Sequence, residues 1–211
     1  MRIRFAFLTA LLLSGMALPA GAETVQGALP PDTVPPAAAP PAATPPPEAP
    51  TKQGRLDQLF TELKRERNEK AAERIAGRIW SEWNQSGSAS IDLMMQWAQK
   101  ATEDQKFDVA LDFLDQVVTL QPDYAEGWNR RATVHFMMKN YGKSMADIDR
   151  TLQLEPRHFG ALSGLAQIMA ETGHKQSALE AWQKVLAIYP MMRSAQNQVS
   201  TLSEELAGEG I

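Results

Sequence analysis

The sequence predicts an all-α chain assembled from a 34-residue repeat, and three observations carry that reading. First, apolar residues recur three and four positions apart from Leu56 onward, which is the spacing of a helix face, and no stretch alternates in the way a half-buried strand does. Second, small residues return at fixed intervals: Ala98, Ala132 and Ala166 in one series, Ala110, Ser144 and Ala178 in another. Third, Pro122, Pro156 and Pro190 close each interval, and proline lacks the N–H that a further helical turn would use. Residues 91–124, 125–158 and 159–192 therefore form three units in unbroken register.

Residues 1–22, MRIRFAFLTALLLSGMALPAGA, read as a secretory signal. Arg2 and Arg4 give the charged start, Phe5 to Leu13 the apolar stretch, and Ala20-Gly21-Ala22 the cleavage site. The apolar run is shorter than the ~20 residues a bilayer-spanning helix needs. The expected location is periplasmic or secreted. Cleavage would remove two arginines and no acid, leaving 19 basic against 25 acidic residues and a net charge of −6. Such a surface suits neither nucleic acid nor anionic lipid. The chain has no cysteine, which excludes disulfides and a lipid-modified cysteine.

Residues 23–54 are rich in proline and alanine, with few apolar side chains larger than valine, and are expected to form a disordered, semi-rigid spacer. Residues 55–90 follow as a divergent helical hairpin, with Leu56, Leu59, Phe60 and Leu63 on one predicted helix and Ile75, Ile79, Trp80 and Trp83 on the next. A frame started at Asp57 places Phe60, Leu63, Ala76 and Trp80 in slots shared with the later units, but Lys64 replaces a small residue and Ser88 the closing proline. This hairpin is expected to cap the first unit. Residues 193–211 hold a weak amphipathic pattern, Ala195, Val199 and Leu202, expected to be a C-terminal capping helix and tail.

The slots occupied by Trp128, Ala132, Tyr141, Ser144, Ile148, Leu152 and Pro156 resemble those of the tetratricopeptide repeat, and the frames before and after repeat them. The resemblance implies a right-handed superhelical solenoid of antiparallel helix pairs whose first helices line a concave face. It further implies that Trp128 and Trp182 are core residues and that Arg131 and Asp147 form an ion pair within the second unit, a pair that a subset of these repeats carries. The same resemblance implies a partner groove over Met95, Gln96, Gln99, Thr102, Glu126, Asn129, Arg130, Thr133, Phe136, Met137, Ser163, Gln167 and Glu171. Amides at Gln96, Gln99, Asn129 and Gln167 both donate and accept, which suits an extended peptide read through its main chain. Arg130 offers a forked partner for a carboxylate, and Phe136 with Met137 an apolar pocket.

No catalytic, cofactor or metal site is expected. His135, His158 and His174 fall at slots 11, 34 and 16, on different faces of the unit, and HExxH, CxxC, GxSxG and GxxxxGK[ST] are absent. The sequence reads as a non-catalytic exported adaptor that binds a protein or peptide in the cell envelope; the alternative is self-association through uncovered apolar positions of the terminal helices.

Overall fold

Each of the three repeat pairs turns on one residue. Gln105, Lys139 and Gly173 adopt left-handed backbone at φ 59°, 59° and 80°. The following N–H of Lys106, Asn140 and His174 then bonds five residues back, to the carbonyls of Ala101, His135 and Met169, at 2.8 Å in all three. This closure satisfies carbonyls at the helix end and sends the chain back antiparallel. The computed structural model describes residues 51–208, which contain α1 Lys52–Arg65, α2 Glu69–Trp83, α3 Ala89–Glu103, α4 Phe107–Leu120, α5 Ala125–Met137, α6 Tyr141–Leu154, α7 Phe159–Glu171, α8 Lys175–Ile188 and α9 Arg193–Gly208. Among the described residues there is no strand, and none of these helices is long and apolar enough to cross a membrane.

The second helices α4, α6 and α8 start 34 residues apart and stop at Leu120, Leu154 and Ile188, two residues before Pro122, Pro156 and Pro190. The small slots sit at the helix crossings: Ala98, Ala110, Ala132, Ser144, Ala166 and Ala178 are at most 2 % exposed. Ser144 also donates its hydroxyl to the Ala132 carbonyl at 2.8 Å, tying α6 to α5. Arg131 grips Asp147 through two bonds, of 2.9 and 2.7 Å, and reaches back to Asp115 of α4 at 2.8 Å, so this cation joins two units as well as two helices. Trp182 is buried as expected, but Trp128 is only half-buried: its indole N–H donates to the Pro122 carbonyl, and the Arg131 guanidinium lies 4.7 Å above its ring. α9 takes the place of a next first helix, covering α8 with Ala195 and Leu202.

The N-terminal hairpin departs from expectation in two ways. The helix begins at Lys52, inside the expected spacer, because the Thr51 hydroxyl accepts the Gly54 N–H and caps it. More consequentially, α1 and α2 do not cap the first unit. Their buried residues, from Leu56 to Trp83, share a core with Phe159, Leu162, Trp182, Val185 and Tyr189 of the third unit. The core of α3 and α4, by contrast, holds no residue of the hairpin. The contact that seats the hairpin on the third unit is aromatic: Trp80 and Trp83 meet Phe159 at 5.5 and 5.1 Å, and Trp83 stacks on His158. The outer face of the first unit is therefore open, with Leu93, Trp97 and Val109 at 42, 48 and 44 % exposure.

Candidate functional site

The helices α3, α5 and α7 form one continuous face. Hollows lie along it, among them one of about 460 Å³ between α3 and α5 and one of about 210 Å³ between α5 and α7. Of the residues expected in the groove, Gln96, Gln99, Thr133, Met137 and Gln167 are exposed, and Phe136 and Arg130 are half-buried. The remainder of the strip is partly a correction. Met95, Glu126, Asn129 and Ser163 are buried, at 7, 2, 8 and 8 %, although Glu126, Asn129 and Ser163 still form part of the walls of these hollows. Met95 belongs to the core of the first unit, and the Ser163 hydroxyl donates to the carbonyl of Phe159. Thr102 and Thr133 turn their hydroxyl hydrogens back to the carbonyls of Ala98 and Asn129. Glu171 is held by the Tyr141 hydroxyl.

The buried acid organises the centre of the face. Glu126 accepts from Asn129 at 3.0 Å, from Arg130 at 2.7 Å and from His158 Nε2 at 3.1 Å. His158 is placed by its other nitrogen, since Nδ1 accepts the Ala161 N–H at 3.1 Å and so caps α7. With Nδ1 accepting, the ring proton sits on Nε2 and points at Glu126. Burial alone would raise the Glu126 carboxyl; the His158 hydrogen bond and the neighbouring Arg130 charge overcome it and hold the group below the ordinary carboxylate value. Burial likewise pushes the Tyr124 phenol upward and the His135 imidazole downward.

Arg130 extends from this network to the surface. It bonds Gln99, and it donates to the Asn84 side chain of the α2 cap at 2.8 Å. Trp80 completes the wall of the larger hollow. Sequence reasoning did not place Trp80 or Asn84 here, because it stacked the hairpin before α3. The available signal was Gly160: a Cβ there would lie 2.7 Å from the Trp80 ring, so the close approach needs a glycine at that slot. Among the described residues, no group of three His, Cys, Asp or Glu side chains could hold a metal ion.

No family model matches the chain. It is 58 % identical over 154 residues to a TPR repeat-containing protein of Rhizobium etli, an alignment covering 73 % of this chain and 76 % of that protein. The chain is a tetratricopeptide-repeat protein. A more distant relative, small glutamine-rich tetratricopeptide repeat-containing protein 2 of Saccharomyces cerevisiae, is 27 % identical over 117 residues, covering 56 % of this chain and 34 % of that one. The fold of this tetratricopeptide-repeat protein is similar to the first TPR of Spaghetti (RPAP3) bound to an HSP90 peptide, with TM-score 0.53, 20 % identity, and coverage of 56 % of this chain and 93 % of that domain. It is also similar to MamA, with TM-score 0.53, 17 % identity, and coverage of 65 % and 81 %. Tetratricopeptide-repeat proteins generally mediate protein–protein interaction.

Proposed function

We propose that this protein is a non-catalytic adaptor of the cell envelope that takes an extended peptide segment of a partner protein into the hollow between Trp80, α3 and α5. The observation carrying this reading is the hollow itself: about 460 Å³, walled by an indole, with Gln99, Thr133, Met137 and a half-buried Arg130 presented from two successive first helices. The neighbouring Gln96 and Gln167 engage no hydrogen bond among the described residues, so their amides are open to a peptide backbone. The RPAP3 domain with its bound peptide shares the fold and lends support of that kind alone. Export rests on residues 1–22, which lie outside the described residues, as do residues 23–50 of the proposed spacer.

The test is capture from a periplasmic extract by the mature chain, read by mass spectrometry, against Thr133→Glu with Met137→Glu. Both positions are exposed, so the fold is retained. Loss of the main captured protein supports the hollow, and full capture by the stable variant refutes it. Fractionation and N-terminal sequencing test export, with Glu23 the expected first residue. Self-association through α9 finds little support, since Ala195 and Leu202 are buried and no large apolar residue of α9 is exposed.

A further inference from the structure

The open outer face of α3 and α4 is where a preceding helix pair would stack in a repeat solenoid, and it carries the apolar surface for one. Leu93, Trp97 and Val109 are exposed there, with the Trp97 and Phe113 rings 5.3 Å apart. A matching helix pair exists in the same chain. In the α1–α2 hairpin, Phe60, Leu63, Ala76 and Trp80 keep the slots of the repeat when the 34-residue frame is run back to Asp57. The connection also fits. Stacked pairs are joined by four residues, Gln121 to Tyr124 and Glu155 to His158, and the hairpin is joined to α3 by five, Asn84 to Ser88. Where the stacked connections carry a proline, this one has Ser88, preceded by Gly87 at φ +85°. It is a linker with the reach of a stacked connection and without its stiffness.

We infer that the hairpin has two docking positions: the third unit, where the structure shows it, and the open face of the first unit, where it completes a continuous four-unit solenoid. In the observed position the hairpin is fastened by Trp83 on His158, by the Asp57–Arg157 and Glu69–Arg193 ion pairs, and by Asn84 on Arg130. The ion pairs are solvent-exposed and individually weak, so the principal latch is the apolar core that the hairpin shares with the third unit, in which Trp83 meets Phe159 and stacks on His158. Moving the hairpin takes Trp80 and Asn84 off the α3–α5–α7 face, covers Trp97 and Val109, and opens the hollow along its length. The consequence for ligand capture rests on the proposed function; the repositioning does not, and is measured without ligand.

The chain has no cysteine, so pairs can be introduced cleanly into the full-length protein for spin-label distances: Gln58→Cys with Lys184→Cys reports α1 to α8, which are in contact, and Ser81→Cys with Asp112→Cys reports α2 to α4. Two perturbations of the latch, Gly160→Leu and separately Trp83→Ala with Arg157→Glu, are each checked for retained helicity. Either is expected to deplete most of the short α1–α8 population and to create a narrow, short α2–α4 population. Adding Trp97→Asp with Val109→Asp should abolish that new population. The inference is overturned if both perturbations leave α1 on α8, or if the released hairpin gives a broad α2–α4 distribution that the Trp97 and Val109 changes do not alter.

Discussion

Trp83 lies flat on His158, with ring centroids 4.0 Å apart and planes 10° from parallel. The pair joins residues 75 positions apart in the chain and seals a fully buried imidazole whose two nitrogens are committed, one to the α7 N-terminus and one to Glu126. Truncating Trp83 to Ala removes this lid from a polar network and leaves a large cavity. A loss of about 3–5 kcal/mol is expected in urea unfolding, the range for buried aromatic truncations.

Two glycines of α7 should respond oppositely to an added methyl. A Cβ at Gly160 would approach the Trp80 ring to 2.7 Å, so Gly160→Ala displaces that indole and lowers stability. At Gly164 the nearest atom is Ile148 Cδ1 at 3.5 Å, an ordinary contact, and Gly164→Ala should stabilise by up to about 1 kcal/mol through helix propensity. Melting temperatures of the two variants check the contrast.

The turn residues offer a second contrast. Gln105 and Lys139 hold φ 59°, whereas the equivalent Gly173 holds φ 80° without a side chain to strain. Gln105→Gly and Lys139→Gly should each raise stability by about 0.5–1 kcal/mol, while Gly173→Ala should lower it by a similar amount. Equal unfolding midpoints across the three would show that the left-handed turn carries no strain.

Arg131 faces one buried and one exposed acid, with Asp147 at 6 % and Asp115 at 62 % side-chain exposure. A double-mutant cycle with alanine should give a coupling of about 1.5–3 kcal/mol for Arg131 with Asp147, as for a hydrogen-bonded charged pair. With Asp115 it should give under about 1 kcal/mol, as for exposed ion pairs. Comparable couplings would mean that the inter-unit bond matters as much as the one within the unit.

Stability should fall with acid in two windows. The folded Glu126 carboxyl lies below its ordinary 4.5, so its contribution is complete above that value and is lost as pH drops through the folded one. Burial lowers His135 from 6.5, and its Nδ1 is buried without a hydrogen-bond partner. The unfolded chain therefore takes up that proton first, and stability declines as pH falls from 6.5 toward the folded value. His135→Gln should flatten the upper window and Glu126→Gln the lower, as read from urea midpoints across pH.

The sequence by itself determined the helices, their pairing and their repeat, because these depend on contacts within 34 residues: small residues where helices cross and prolines after each second helix. It also located much of the exposed strip, Gln96, Gln99, Thr133, Met137 and Gln167, since a slot on a first helix fixes which way a side chain faces. Tertiary structure alone decided where the hairpin goes. The slots of Phe60, Leu63, Ala76 and Trp80 fit a stacked unit, yet the Trp80 and Trp83 rings find Phe159 and His158 across the chain, and burying aromatic surface there leaves the neighbouring face of α3 uncovered. That choice also decided the site. It brought Asn84 onto Arg130 and, with His158, turned Glu126 from an expected groove residue into a buried acid, through contacts separated by 32 to 46 residues that no local pattern encodes.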